Sequence, residues 1–217
     1  MKRRVVITGL GVLSPVGNTV EETFTNLVNG VGGIDYITLF DTEKSKVKIA
    51  GELKNIDFEQ YLDKKDIKRS DRIMVIGTIA AMQAYEDAKL KPEDYNPYRF
   101  GIYVTSGIGG LSTLEEGITN KALRGPDRVS PFFIPNSIVN MVGGMISMKF
   151  KVKGPNIPVV TACSAATNSI GEAFRGIRDG YLDLAFAGGS EASINETGIA
   201  GFSSIKALST TEDPKIA

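Results

Sequence analysis

The sequence predicts an α/β fold, a mostly parallel sheet with helices on both faces. Three observations predict it. Short, apolar, β-branched runs alternate along the chain with longer segments whose apolar residues recur at helical spacing. The 24 glycines and 42% hydrophobic residues suit an α/β globule with tight turns. With 217 residues the chain is one large domain or two small ones, long enough to bury roughly 70% of its unfolded surface.

The elements follow in order. Residues 5–8 read as a buried strand that ends in Gly9-Leu-Gly11. Ser14 stands where a dinucleotide fingerprint needs its third glycine, and Pro15-Val-Gly-Asn18 is a loop rather than a helix start, so that fingerprint is rejected. Thr19-Val-Glu-Glu22 is a capping box opening a helix to about Asn29, which Gly30, Gly32 and Gly33 close. Residues 34–56 look irregular, with an edge strand at 47–51, and the polar stretch 56–67 holds a short helix. Ser70 or Asp71 caps a long helix to about Ala88, with Ile73, Ile76, Ala80, Ala84 and Ala88 near helical spacing and burial on much of its surface. Pro92-Glu-Asp-Tyr95 is a turn. Residues 100–105 are a buried strand running into Ser106-Gly-Ile-Gly-Gly110, where glycines let the backbone turn sharply or approach a ligand. A helix spans 111–123, an exposed loop 125–128, and a rigid aromatic segment Pro131-Phe-Phe-Ile-Pro135. Another helix is expected over 136–148, with Met141, Met145 and Met148 as adaptable core filling. Residues 158–161 read as a buried strand, 165–178 as a helix with Ala166, Ile170, Ala173, Phe174 and Ile177 at helical spacing, and 183–187 as a second buried strand.

Composition excludes several classes. Lys+Arg and Asp+Glu are both 25, so there is no bulk electrostatic case for nucleic acid or an anionic membrane. No run approaches 18 uninterrupted apolar residues, so no membrane span is expected. Met1-Lys-Arg-Arg4 imitates the start of a signal peptide, but Thr8, Gly9, Gly11, Ser14 and Pro15 interrupt the apolar run and no small-x-small cleavage site follows. A single cysteine excludes an intrachain disulfide framework and fits a reducing, cytoplasmic compartment. There is no histidine, which removes the commonest general base and metal ligand and excludes a cysteine–histidine pair within this chain. No metal or cofactor is expected.

That cysteine, Cys163, sits where the 158–161 strand turns into the 165–178 helix. The first turn of a helix offers unpaired N–H groups and the positive end of the macrodipole. Both favour a thiolate, the nucleophilic form, and the same N–H groups can hold a developing oxyanion. Ala162, Ser164, Ala165 and Ala166 are small enough to admit a substrate. The competing reading is a small buried hydrophobe, as free cysteines often are.

The wording around Cys163 adds to this. Val159-Val-Thr-Ala-Cys-Ser-Ala-Ala166 resembles the active-site segment of the β-ketoacyl-acyl-carrier-protein synthases. Ala187-Gly-Gly-Ser-Glu-Ala192, the opening 4–18, Ser130-Pro-Phe-Phe-Ile-Pro135 and Asn140-Met-Val-Gly143 are similar to the same family in the same order, and the type II elongating synthases match best. The resemblance covers the whole chain.

The resemblance implies a thiolase-like fold of two similar α/β halves, with residues 1–217 as the N-terminal half of a longer synthase. The second half would carry two histidines and a lysine of the active site. It implies that Cys163 is the acyl-accepting nucleophile with its backbone N–H in the oxyanion hole, and that Gly107, Ile108, Phe133 and Phe202 lie on the acyl pocket, Phe133 across a homodimer interface. It implies a partner, acyl carrier protein bearing acyl-phosphopantetheine, docked on Lys65, Lys68 and Arg69 in one patch and Arg128 and Lys206 in another. Read without the resemblance, the cluster Lys64, Lys65, Lys68, Arg69 and Arg72 is a solvated basic face. The implied activity is decarboxylative condensation in fatty acid biosynthesis. Two alternatives remain: another acyltransferase of this fold, such as a thiolase or polyketide ketosynthase, and a non-catalytic acyl-binding half-domain with Cys163 in its core.

Overall fold

The computed structural model describes residues 3–216. In chain order its elements are α1 (Val20–Val28), β1 (Asp35–Tyr36), β2 (Ile49–Ala50), α2 (Lys64–Arg69), α3 (Arg72–Asp87), β3 (Phe100–Thr105), α4 (Leu111–Arg124), α5 (Phe133–Ser137), α6 (Met141–Phe150), α7 (Ala165–Arg178), β4 (Leu184–Gly189) and α8 (Glu196–Ser204). They form two compact units: the segment up to Gly11 with Phe58–Ala192, and Val12–Asp57 with the segment from Ser193.

In the larger unit β3 and β4 run parallel, in register from Phe100 opposite Leu184 to Thr105 opposite Gly189. On its other edge β3 meets residues 155–157. Ile102 N–H donates to Pro155 O at 2.8 Å, and Ile157 N–H donates to Ile102 O at 2.9 Å. All six residues of β3 are buried, as a strand flanked on both edges and covered on both faces should be. Alternation along the strands divides the faces. On one face Phe100 and Phe186 stack at 4.9 Å and meet Phe150 of α6 and Tyr85 of α3. On the other, Tyr103 and Ala185 pack with Leu182 against Ala173 and Ile177 of α7. Helices therefore cover both faces, as the sequence predicts. The long helix also matches: Asp71 caps α3, accepting from Ile73 N–H at 3.1 Å, and Ile73, Met74, Val75, Ile76 and Ile79 are buried nearly all round.

Five expectations need correction. Residues 5–8 form no strand. Apolar character says what a segment would bury, but a strand also needs a partner ladder. Here the flanking backbone is tied by Arg3 N–H to Arg178 O (3.3 Å) and Leu10 N–H to Asp87 Oδ2 (2.9 Å). Gly9 and Gly11 lie so close on α3 that a Cβ at either would collide with its backbone, while Val6 and Ile7 are 62% and 78% exposed. Residues 158–161 form no strand either; Pro158 has no N–H to extend the ladder beyond Ile157. The helix expected over 136–148 is two helices, because Ile138 turns extended (φ −89°, ψ 139°) and Ser137 O accepts from Gly110 N–H at 3.2 Å. Pro135 sits in the first turn of α5, where its missing N–H leaves no helical bond unmade. On α7 the buried stripe is Ala165, Ser169 and Ala173, while Ile170 and Phe174 are exposed. Small residues let the helix approach the sheet closely. Met145 fills core, but Met148 is exposed.

The smaller unit holds an antiparallel pair, Asp35 opposite Ala50 and Tyr36 opposite Ile49, so the edge strand expected at 47–51 is present as β2. Its core is Ile37, Val47 and Ile199, with Phe40, Ala50, Ile194 and Leu208 around them. The α1 cap is shifted from the ideal box. Thr19 Oγ1 accepts from Glu22 N–H at 3.1 Å, but Glu22 Oε2 reaches back to Asn18 N–H, at 2.6 Å.

Candidate active site

Cys163 is the middle residue of a tight turn, Ala162–Ser164, that feeds directly into α7. The turn is closed by Ser164 N–H donating to Thr161 O at 3.1 Å. The Thr161 hydroxyl and the Asn168 side-chain oxygen, 3.0 Å apart, tie the turn to the helix. Ala162 has φ +52°, a left-handed conformation that a residue with a Cβ adopts only when its surroundings hold it there. No side chain caps α7, so the first-turn N–H groups are not occupied by a serine or aspartate oxygen. Cys163 is exposed, so it does not fill a core. An exposed thiol at an uncapped helix N-terminus can attack an electrophilic carbonyl and place the resulting oxyanion near backbone donors.

A second loop stands against this turn. Residues 106–109 leave the carboxyl end of β3, and residues 190–191 leave that of β4 beside it. Ser190 N–H continues the pairing by donating to Thr105 O at 3.0 Å. The buried Ser106 hydroxyl accepts from Ile108 N–H (3.2 Å) and Gly109 N–H (2.8 Å) and donates to Glu191 Oε1 (3.0 Å). Glu191 Oε2 accepts from Gly107 N–H at 2.9 Å. A Cβ at Gly107 would lie 2.9 Å from Ala162 O. The loop is thus packed directly on the residue before Cys163. The carboxyl ends of parallel strands are where open α/β sheets hold ligands.

Among the expected pocket residues, Gly107 and Ile108 are on this loop, with Ile108 exposed. Phe133 is half-buried, and a Cβ at Gly117 of α4 would strike its ring, so the phenyl group lies on α4. Phe202 is on α8 in the smaller unit, 36% exposed. Of the expected docking residues, Lys65, Lys68 and Arg69 are exposed together on α2. The Arg69 guanidinium lies 5.6 Å over the Phe132 ring, and Lys64 pairs with Glu59 at 3.3 Å. Among the described residues Lys65 and Lys68 make no ion pair. Arg128 is exposed after α4, and Lys206 is exposed in the smaller unit.

Sequence reasoning missed Ser106 and Glu191 as a pair. Each stands in a motif already singled out, but only the β3–β4 register puts them within hydrogen-bond distance. It also missed the second role of Asp71, whose Oδ2 accepts from Thr113 N–H (3.1 Å) and Oγ1 (2.6 Å) and so joins α3 to α4.

A parallel α/β layer with an exposed thiol on a turn feeding α7 defines the class only as an α/β fold with a cysteine-bearing turn, and comparison with known proteins makes the assignment. The family model described as beta-ketoacyl synthase, N-terminal domain, matches residues 2–217, and the chain belongs to that family. It is 48% identical over 217 residues to 3-oxoacyl-[acyl-carrier-protein] synthase 2 of Staphylococcus aureus (strain N315), covering 99% of this chain and 52% of that protein. It is 45% identical over 212 residues to 3-oxoacyl-[acyl-carrier-protein] synthase 2 of Vibrio cholerae serotype O1, covering 98% and 51%. Among solved structures it is similar to the ishigamide ketosynthase/chain length factor, with a TM-score of 0.89, 28% identity, and 98% of this chain and 53% of that one covered. The fold is thiolase-like, and the chain spans about half the length of the curated relatives it matches. Among the described residues no helix is long and apolar enough to cross a membrane.

Proposed function

We propose that this chain supplies the nucleophilic half of a 3-oxoacyl-acyl-carrier-protein synthase of fatty acid biosynthesis. The observation that carries the reading is the exposed Cys163 thiol on a left-handed turn at the uncapped start of α7, in a chain 48% identical to synthases of that name. The Cys163 thiolate attacks the thioester carbonyl of an acyl-carrier protein. The carbonyl oxygen takes negative charge beside the first-turn N–H groups, then re-forms its double bond as the carrier's thiolate leaves and takes up a proton. The acyl group is left on Sγ. A malonyl-carrier-protein then loses carbon dioxide, its C–C bonding pair becoming an enolate. That carbon attacks the acyl-cysteine, Cys163 leaves as thiolate, and the product is a 3-oxoacyl-carrier-protein two carbons longer. The zero histidine count means that this chain offers residues for the first transfer and none of the histidines that the family uses in the second.

In this reading residues 1–217 are the N-terminal half of the synthase, Ile108, Gly107, Phe133 and Phe202 border the acyl chain, and the enzyme works as a cytoplasmic homodimer. The basic face of α2, with Arg128 and Lys206, receives the acidic carrier protein. The lone, exposed thiol is consistent with a reducing compartment.

The test is intact-mass measurement of the protein produced from its natural gene, before and after exposure to an acyl-carrier-protein thioester. One acyl adduct that disappears in Cys163→Ala is the expected result. No adduct overturns the reading. Faster transfer from coenzyme A thioesters than from carrier-bound ones replaces it with a thiolase-type acyltransferase.

A further inference from the structure

We propose that Glu191 is a positioning residue for acyl transfer, holding the 106–109 loop at a set distance from the Cys163 turn. The proposal rests on the reading of Cys163 as the acyl acceptor.

One carboxylate spans two groups of a single loop. Oε1 receives the Ser106 hydroxyl at 3.0 Å, and Oε2 receives Gly107 N–H at 2.9 Å. Ser106 passes this on, because its hydroxyl oxygen accepts from both Ile108 N–H and Gly109 N–H. With both acceptor sites of the hydroxyl filled, its proton is committed to Glu191. The carboxylate therefore orients four consecutive residues through two bonds of its own. A charged acceptor makes each bond stronger than a neutral one would. Ser106 is 2% exposed, so losing its acceptor leaves a buried donor unmatched.

The loop so held is packed on the nucleophile's own turn. Gly107 approaches Ala162 O closely enough that a Cβ there would stand at 2.9 Å. Ala162 is the residue kept at φ +52°, immediately before Cys163. Glu191, Gly107 and Ala162 therefore form a line of contacts from the end of β4 to the turn. A loop freed from Glu191 can retreat from Ala162, which relaxes the turn and moves Ile108. Reaction rates are sensitive to misplacements of about 1 Å at a reacting centre. Glu191 acts through the loop that it holds.

The arrangement also selects a chemistry. Alkylation of an accessible thiol by a small reagent such as iodoacetamide requires no oxyanion placement and no acyl wall. Transfer from an acyl thioester requires both. The two reactions separate positioning from general structural integrity.

The experiment compares wild type, Glu191→Ala, Glu191→Gln, Ser106→Ala and the Glu191→Ala/Ser106→Ala double variant in the full protein from its natural gene. Acylation of Cys163 by acyl-carrier-protein thioesters of short and long chain is followed by mass, beside iodoacetamide alkylation of the same thiol. The expected result is acylation slowed at least about tenfold in Glu191→Ala with alkylation within about twofold of wild type. Glu191→Gln should fall between, since its amide oxygen still accepts from Gly107 while its NH₂ meets a hydroxyl oxygen already filled. The Glu191→Ala/Ser106→Ala pair should be no slower than Glu191→Ala alone, because the two act as one unit. Wild-type acylation in Glu191→Ala overturns the proposal, and so does an equal fall of acylation and alkylation, which marks a purely structural role. If Glu191→Ala does not fold, Ser106→Ala decides by the same two rates. A wild type that gains no acyl group overturns both this proposal and the reading beneath it; a wild type that does, with unaffected variants, overturns only this one.

Discussion

Gly107 is the glycine of the candidate site packed on the Cys163 turn, and it tolerates little. A Cβ added there meets Ala162 O at 2.9 Å and Glu191 Oε2 at 3.2 Å, one a backbone atom and the other a carboxylate already holding the loop. Neither yields without moving the Cys163 turn or breaking the Glu191 bonds. Gly107→Ala is expected to slow Cys163 acylation at least about tenfold, with a stability loss of about 1–3 kcal/mol from overpacking. An acylation time course and a denaturant titration of the full protein measure the two separately; an unchanged acylation rate would refute the packing argument. Gly107 was legible as a glycine in a glycine-rich turn after a strand. What it packs against was not, because Ala162 is 55 positions away and no local signal connects them.

At the scale of the element, α7 and α3 carry the testable consequences. Gly171 lies inside α7 with nothing within 4 Å of where a Cβ would stand. Gly171→Ala should stabilise the protein by about 0.5–1 kcal/mol through helix propensity, read as a raised denaturation midpoint, and leave acylation unchanged. Asp71 is the opposite case. It is 4% exposed, caps α3 and holds Thr113 of α4 through both N–H and hydroxyl. Asp71→Ala removes the cap and strands the Thr113 donors, which should lower stability by about 1–3 kcal/mol. Asp71→Asn, which can still accept at one oxygen, should lose less. The cap itself was readable from Ser70-Asp71 before an apolar helix; the tie to Thr113 depends on α3 and α4 meeting, which caps do not encode.

At the scale of the molecule, one ion cluster joins three distant stretches of the larger unit. Asp183 accepts from Arg3 at 2.8 Å and from the Arg99 guanidinium at 2.6 and 2.9 Å. The hydrogen bonds from Arg99, then those from Arg3, hold its carboxyl down from the ordinary 3.8 to about 2. A carboxylate whose folded value is depressed contributes stability that is present above its unfolded value and lost as pH falls through its folded value. The stability difference between wild type and Asp183→Asn should therefore be constant above about pH 5, shrink from about pH 4 downward and vanish only below about pH 2, once the folded carboxylate is itself protonated. Because the partners are between a third and a half exposed, added salt should also shrink it. Denaturant titrations across pH and salt check both. On the opposite sort of surface, α2 exposes Lys65 and Lys68, which make no ion pair among the described residues. Reversing charge at Lys65 and Arg69 should slow transfer from carrier-protein thioesters far more than from small thioesters, and an equal effect on both would sink the docking assignment.

The sequence alone determined which segments are helices with named caps, that residues 100–105 are a buried strand, and which residue bears the only thiol. Those features rest on local rules: Thr19 and Asp71 bond N–H groups two or three residues onward, and the short, mostly apolar run at 100–105 has one economical use. Family membership was legible for a related reason, since the wording around Cys163 and Gly188 is contiguous. Only the tertiary structure decided that residues 5–8 are not a strand, that α7 buries Ser169 instead of Ile170, and that Glu191 holds Ser106 and Gly107. Strand formation and hydrogen-bond partnership between 106 and 191 are set by register across 85 residues. Register arises from the pairing of whole strands and from the packing of helices on their faces, and no window of the sequence contains both partners.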